Sequence, residues 1–225
     1  TPGARSDRWS RPHRMGRPGS WSTHAAPSAV SDTLGSTWVA AVTRHGALLT
    51  QHTTHAGRHW TGMHPVDHQA WSNTSTPALA AAPDGRVWLA SVGRRGALAV
   101  RHTSSRSSKW QPRDALSGRW SPYSSPSLAV DRSSRTWLAA VDDRGGLKVS
   151  SLGAGGRRWH VSRGLPDVPR SKTGSPALTS SVNGVLVGIT DRRGHVLWRR
   201  PAGPVELLPP AHGAHGGGFS VSRFL

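Results

Sequence analysis

The chain has 225 residues, which is enough to bury a hydrophobic core, and we expect one domain spanning residues 1–225. Glu, Lys and Met are scarce, with a single Glu (Glu206), whereas 26 Gly and 17 Pro favour turns, so the composition predicts an all-β fold. The lack of Cys excludes disulfides and thiolate metal sites, and no apolar run is long enough to span a membrane. No charged-then-apolar leader follows Thr1, so we expect a signal peptide to be absent or already removed.

The net charge of +18 comes mainly from Arg residues spread along the chain. Such a charge fits two interpretations. One is a generally cationic, soluble surface. The other is a salt-sensitive attraction to polyanions such as nucleic acid or acidic polysaccharide.

Tryptophan marks an internal repeat of about fifty residues. Three sets recur at intervals of 49 to 51: Trp9, Trp60, Trp110, Trp159; Trp38, Trp88, Trp137; and Trp21, Trp71, Trp120. Proline and glycine follow the same spacing: Pro27, Pro77, Pro126, Pro176; and Gly46, Gly96, Gly145, Gly194. A period of this length predicts a repeat architecture.

We place four repeats at approximately residues 21–70, 71–119, 120–169 and 170–208. The termini, 1–20 and 209–225, are predicted to share one incomplete repeat. In the fourth repeat Leu186 stands where the strand Trp is expected, counting back from Gly194. The number of repeats in a closed ring stays open, as does whether the chain is a fragment of a larger ring.

The second repeat shows how each copy is expected to fold. An apolar run at 78–82 is followed by a Pro-Asp-Gly turn, and then by a strand at 87–92 that is apolar on both faces. A Gly-Arg-Arg-Gly hairpin leads to a third strand at 97–103, and Trp110 lies on a fourth. Four short strands per fifty residues predict the blade of a β-propeller, because neighbouring blades cover both faces of its middle strands.

The repeat Trp-Ser-x4-Pro-Ala-Leu-Ala, Asp-Gly-Arg-Val-Trp-Leu-Ala, Gly-Arg-Arg-Gly-Ala-Leu resembles the tryptophan-rich blades of bacterial propeller lectins. The seven-bladed fucose-binding type is the nearer resemblance, and the five-bladed tachylectin type the second. It implies shallow sugar pockets between neighbouring blades, with the sugar stacked on aromatic side chains. The hairpin Asp-Gly typical of those lectins is replaced here by His45-Gly46, Arg95-Gly96, Arg144-Gly145 and Arg193-Gly194, which leaves the sugar undefined.

The three Trp sets have different expected roles. Trp38, Trp88 and Trp137 lie in apolar strands and are predicted to be core. Trp60, Trp110 and Trp159 are predicted to pack against the adjacent blade. Trp21, Trp71 and Trp120 lie in polar connections between blades, where an aromatic ring can either stack on a sugar or wedge the blades apart.

We predict Trp21, Trp71 and Trp120 as ligand-binding residues, while structural wedging stays open as the alternative. Tyr123, three residues after Trp120, is predicted to add a hydroxyl group to that pocket. The hairpin residues Arg44, Arg94 and Arg193 are candidates for contact with an acidic sugar, with a solvated turn as the alternative. The fourth repeat carries Arg170 in place of the connecting Trp, so its site is predicted to be silent.

No catalytic residue, metal site or cofactor is predicted. Glycosidic chemistry needs two suitably spaced carboxylates, and most of the eleven acids lie in turns. The segment from Asp84-Gly85 to Trp88 is similar to the Asp-box of sialidases, but we find no repetition of it. His64 and His68 have a spacing that could bind metal on a helix, but Gly62 and Pro65 argue against a helix. His52 and His102 occupy equivalent strand positions, which predicts a packing role.

The sequence therefore predicts a non-catalytic, lectin-like β-propeller that is secreted or attached to the cell surface. Its expected partners are glycans or cell-surface polysaccharide, without membrane insertion; polyanions and a homo-oligomer stay open. Two alternatives are a structural or targeting module of a larger secreted hydrolase and a cationic module that binds polyanions through Arg.

Overall fold

A computed structural model describes residues 14–17, 19–53, 59–104, 107–111, 114–155, 158–161, 171–181, 184–190, 195–200 and 205–207. These residues form four antiparallel sheets, each built from strands that are consecutive in the chain. The all-β, blade-like fold predicted from the sequence is confirmed. Within this part of the chain no helix is long and apolar enough to cross a membrane.

The strands of blades 1 and 2 come in order along the chain. Blade 1 contains β1 (Ser28–Ser31), β2 (Thr37–Val42), β3 (Leu48–His52) and β4 (His64–Pro65). Blade 2 contains β5 (Ala78–Ala81), β6 (Val87–Val92), β7 (Leu98–Ser104), β8 (Ser107–Trp110) and β9 (Asp114–Leu116). The outer edge of blade 2 is thus divided, because β8 pairs with the end of β7 and β9 with its beginning. This differs from the single fourth strand expected from the sequence.

Blades 3 and 4 have four strands each among the described residues. Blade 3 contains β10 (Ser127–Val130), β11 (Thr136–Val141), β12 (Leu147–Leu152) and β13 (His160–Val161). Blade 4 contains β14 (Ala177–Ser181), β15 (Gly184–Thr190), β16 (Val196–Arg199) and β17 (Val205–Leu207).

The first strands of the blades pack against one another in chain order, β1 on β5, β5 on β10 and β10 on β14. Strand β6 of blade 2 is buried along its whole length, as its two-sided apolarity predicted. Strand β2 of blade 1 alternates between buried and half-buried residues, and β15 of blade 4 alternates in its middle. Among the described residues, the second strands of blades 2 and 3 are therefore covered on both faces, and those of blades 1 and 4 mainly on one face.

The strand tryptophans hold neighbouring blades together. Trp38 and Trp88 are buried, which confirms the prediction for them, whereas Trp137 is half-buried. Trp110 of blade 2 meets Trp38 of blade 1 edge-on at 5.6 Å between ring centroids, and Trp159 of blade 3 meets Trp88 of blade 2 at 6.2 Å. Packing against the adjacent blade is thus confirmed for Trp110 and Trp159.

Trp60 on blade 1 is 36% exposed, and its packing against an adjacent blade stays a prediction. The packing role of the strand histidines is confirmed. His52 stacks on Trp38 with 4.3 Å between ring centroids, and His102 lies against Trp88 at 4.7 Å. Burial, and then the charge of His64, lowers the pKa of His52, although Asp32 opposes this shift.

Blades 1, 2 and 3 each present two kinds of turn, and the meander places them at opposite ends of the sheets. We call one end the hairpin end. It carries the hairpins between the second and third strands, at 43–47, 93–97 and 142–146, together with the connections between blades. The turn end carries the turns between the first and second strands, at 32–36, 82–86 and 131–135.

Candidate functional site

The connections into blades 2 and 3 are each fixed by backbone contacts to two hairpins. The amide of Trp71 donates to the Gly46 carbonyl of blade 1, and Trp71 forms a bridge with Gly93 in the hairpin of blade 2. Gly46 has a φ of +85°, and a Cβ there would lie 2.6 Å from the Trp71 carbonyl oxygen. Only glycine fits this close approach, which explains the regular glycine spacing of the repeat.

Serine clamps join each connection to the next one along the chain. The serine after each connecting Trp donates its hydroxyl to a backbone carbonyl about fifty residues on: Ser22 to Asn73, Ser72 to Pro122, and Ser121 to Lys172. Sequence reasoning noticed these serines but not their role. The signal was present, since a hydroxyl group recurs at the same place in every connection.

The rings of Trp71 and Trp120 lie inside the junctions and are each only 2% exposed. Trp71 packs in a cluster with Val42 and Leu48 of blade 1, and Trp120 packs with core residues of blades 2 and 3. Protein atoms cover both rings, so neither offers a face for a sugar in this structure. The geometry favours wedging, the alternative that the sequence left open.

Trp71 belongs to a polar network. Its indole Nε1 donates to Asp67 Oδ1 at 2.9 Å, and Arg101 Nη2 donates to Asp67 Oδ2 at 2.6 Å. The Asp67 and Arg101 side chains are only 14% and 13% exposed. Burial raises the pKa of Asp67, but the hydrogen bonds from the Gln69 amide, Trp71 and Arg101 outweigh it and hold the pKa below its usual value.

Trp120 lacks such a network. Its Nε1 is buried, and no described residue accepts a hydrogen bond from it. Lys148 Nζ lies 5.8 Å from the centroid of the ring, which is within cation–π range. The buried hydroxyl residue Ser150 occupies the strand position that Arg101 has in blade 2.

Trp21, at the entry to blade 1, is half-buried. Its Nε1 donates to the backbone carbonyl of Met15 at 2.8 Å. A Cβ on Gly16 would lie 3.0 Å from the ring, so residues 15–16 cover part of it. Of the three connecting tryptophans, Trp21 is the one with a partly accessible ring.

The other candidate residues are exposed at the hairpin end. Tyr123 is 61% exposed, and Arg44 and Arg94 are exposed at the tips of their hairpins. A Cβ on Gly46 would lie 3.1 Å from Nε and Nη2 of Arg94, so this guanidinium of blade 2 lies over the hairpin of blade 1. Asn73 Nδ2 donates to the Arg44 carbonyl across the same junction. Arg170 and Arg193 lie outside the described residues.

A cavity of about 530 Å³ opens at the turn end, beside the turns between the first and second strands of the blades. Its lining includes Asp32 and Asp131, whose carboxylates are engaged by turn amides and by the Nε1 atoms of Trp38 and Trp137. Sequence reasoning missed this repeated Asp–Trp bond. An Asp six residues before the strand Trp in blades 1 and 3 was the signal.

Solved structures of lectins have a similar fold. A lectin from Burkholderia pseudomallei, BP39L, superposes with a TM-score of 0.70 over 89% of this chain and 59% of its own, at 20% sequence identity. The six-bladed fucose-recognising lectin of Aleuria aurantia superposes with a TM-score of 0.56 over 84% of this chain and 64% of its own, at 11% identity. The chain thus spans about six-tenths of the length of each lectin.

The fold is shared by hydrolases as well. An arabinoxylan arabinofuranohydrolase of glycoside hydrolase family 43 from Bacillus subtilis superposes with a TM-score of 0.54 over 75% of this chain and 43% of its own, at 11% identity. No protein-family model and no curated protein sequence matches the chain. At these identities the similarity establishes a β-propeller fold and leaves function to the chemistry of the site.

Proposed function

We propose that the chain is a non-catalytic carbohydrate-binding propeller, with shallow sites between neighbouring blades at the hairpin end. The observation that carries the proposal is the position of Arg94, an exposed guanidinium that reaches over the hairpin of the neighbouring blade. A cation that lies across a blade junction can contact a ligand that touches both blades. The likeness to two propeller lectins supports the same function.

Recognition at such a site would rest mainly on hydrogen bonds. Arg94 presents a fork of N–H donors, which suits the paired hydroxyl or carboxylate oxygens of a sugar. Tyr123 adds an exposed ring and a hydroxyl group beside the next junction. Because Trp71 and Trp120 are buried, Tyr123 is the exposed aromatic residue that would meet a sugar.

Four of the described carboxylates are engaged in ways that favour binding without catalysis. Asp32 and Asp131 hold turn amides and indoles, Asp84 pairs with Arg86 at 2.6 Å, and Asp67 pairs with Arg101. Burial raises the pKa of Asp84, but its hydrogen bonds with Arg86 outweigh burial and lower it. A glycosidase needs one carboxyl group that stays protonated, which requires a raised pKa instead.

Repetition of the junction suits a lectin. A single shallow site binds weakly, but junctions repeated on one end of a rigid propeller can engage several sugars of one glycan surface. This arrangement fits a protein that is secreted or displayed at the cell surface and binds cell-surface polysaccharide.

A glycan array probed with the full chain tests this proposal. We expect retention of a defined set of glycans by the wild type and weaker retention by Arg94→Gln and Tyr123→Ala. Arg132→Gln at the turn end is the matched control and should bind like the wild type. The absence of binding to every glycan, or equal binding by Arg94→Gln, Tyr123→Ala and wild type, would overturn the proposed function or its site.

A further inference from the structure

Exposed cations gather at the hairpin end. Six of them lie on its hairpins and connections: Arg44, Arg94, Arg95, Arg119, Arg144 and Lys172. Every fully described hairpin carries at least one of these arginines at its tip. Because the blades are arranged side by side, the basic tips are distributed along the hairpin end.

Among the described residues, the nearby acids pair with only one of these cations, Arg119. Asp142 accepts hydrogen bonds from the Arg144 and Gly146 amides and pairs with Lys148 at 3.4 Å. All of these partners belong to blade 3. Asp143 faces Arg119, with 3.6 Å between Oδ2 and Nε. Asp67 is turned inward to Arg101. The hairpin tips of blades 1 and 2 therefore stay cationic.

The turns at the opposite end are balanced in charge. They carry three acids and three bases: Asp32, Asp84, Asp131, Arg86, Arg132 and Arg135. Two of the bases lie over indole rings, Arg86 at 5.8 Å from the centroid of Trp88 and Arg135 at 5.7 Å from that of Trp137. The first turns and the hairpins thus differ in charge although both come from the same repeat.

We infer that the hairpin end binds an acidic polysaccharide, whose carboxylate or sulfate groups pair with the hairpin arginines of successive blades. This inference rests on the proposed function and names its ligand class. Guanidinium groups bind carboxylate and sulfate oxygens with two parallel hydrogen bonds. A polymer with one acidic group per sugar or disaccharide can contact several hairpins at once, whereas a short neutral sugar contacts one junction.

A polysaccharide suits this surface better than a nucleic acid. Proteins that hold single strands stack the bases on several aromatic side chains, and Tyr123 is the one large aromatic residue exposed among the described residues of the hairpin end. Duplex readers insert a helix or a strand ribbon into a groove. The described hairpins are tight turns held against the neighbouring connections, so they project no such element.

Two variants with the same charge test the inference. The hairpin variant is Arg44→Gln/Arg94→Gln/Arg95→Gln/Arg144→Gln. The control variant is Lys109→Gln/Arg132→Gln/Arg135→Gln/Arg158→Gln, which removes four exposed cations elsewhere. Affinity would be measured for polygalacturonate, dextran sulfate, neutral dextran and a DNA duplex across a salt series, after circular dichroism shows that both variants are folded.

We expect the full chain to bind polygalacturonate, dextran sulfate or both, and not neutral dextran. The hairpin variant should bind about tenfold or more weakly and with a shallower salt dependence, because fewer counterions are released. The control should stay within about twofold of wild type. A comparison of the affinities for polygalacturonate and dextran sulfate shows whether the surface prefers carboxylate or sulfate groups.

Four results would overturn the inference. Equal losses in both variants would mean attraction by net charge alone. DNA bound as tightly as the acidic polysaccharides, and lost in the hairpin variant, would assign the surface to nucleic acid. Retention of neutral glycans only would refute the acidic ligand but leave the proposed function in place, whereas the absence of binding to any glycan would remove both.

Discussion

Two junctions of the same repeat each bury a tryptophan ring between blades, but the polar contacts of the two indoles differ. The connections into blades 2 and 3 contain Trp71 and Trp120, and both residues are 2% exposed. At the first junction the indole donates to Asp67, which also pairs with Arg101. At the second junction no described group accepts from the indole.

The two connections differ in length and in sequence. Val66 and Leu116 both pair with the first residue of the third strand, Leu48 and Leu98 respectively. Trp71 follows Val66 by five residues, whereas Trp120 follows Leu116 by four. The longer connection carries Asp67, whose carboxylate accepts from the indole, whereas the shorter one carries no acid between Leu116 and Trp120. The repeat thus preserves ring volume, glycine turns and serine clamps, while its buried polar contacts vary.

The largest expected effect comes from removing either ring. Trp71→Ala and Trp120→Ala should each lower the free energy of unfolding by about 3–5 kcal/mol, because each leaves a cavity between blades. Urea unfolding would measure this loss. Tyr123→Ala, which removes an exposed aromatic ring, is the control and should change stability by less than about 1 kcal/mol. A small effect of either Trp variant would contradict the wedging role.

The next effect is specific to the first junction. Asp67→Asn should cost about 2 kcal/mol, since it leaves the largely buried Arg101 guanidinium without its counter-charge. Ser117→Asn, in the connection into blade 3, should leave the free energy of unfolding nearly unchanged. The double variant Asp67→Asn/Arg101→Gln should recover part of the loss, because Gln51 fills the equivalent strand position in blade 1. Strict additivity of the two changes would argue against a coupled pair.

A smaller effect separates the two indoles directly. Trp71→Phe should cost about 1.5 kcal/mol more than Trp120→Phe, because only Trp71 loses a hydrogen bond to a carboxylate. Both changes remove similar ring area, so their denaturation midpoints can be compared directly. Equal midpoints would show that the Asp67 contact contributes nothing to stability.

The smallest effect is on the pH dependence of stability. The pKa of Asp67 is lower in the folded chain than in the unfolded one, so its stabilising contribution is present above the unfolded value of about 4. That contribution is lost as pH falls from there through the lower folded pKa. Thermal unfolding of wild type and Asp67→Asn should therefore converge in acid. A constant gap between them from pH 6 to pH 3 would refute this linkage.

Much of the fold could be predicted from the sequence because a fifty-residue repeat fixes the strand order and turns. The two-sided apolarity of β6 and the cross-blade contacts of Trp110 and Trp159 followed from spacing alone. The half-buried position of Trp137 did not, because equivalent places in a repeat need not be covered equally by the neighbouring blade.

The candidate site was harder to predict. Trp71 and Trp120 lie in polar segments, and polarity suggests exposure, but the rings turn inward while Ser72 and Ser121 bond to the next connection. Spacing locates a residue along the chain but does not give the direction of its side chain. The Asp67–Arg101 pair joins residues 34 positions apart and occurs at one described junction only, so no repeat pattern could reveal it.

The most direct test of carbohydrate binding at the hairpin end is a crystal structure of the full chain with the glycan that it binds most tightly. We predict a sugar between neighbouring blades at this end, in contact with Arg94 or Tyr123, with Trp71 and Trp120 still buried beneath it. A glycan bound in the cavity at the turn end, against Asp32 and Asp131, would contradict this account.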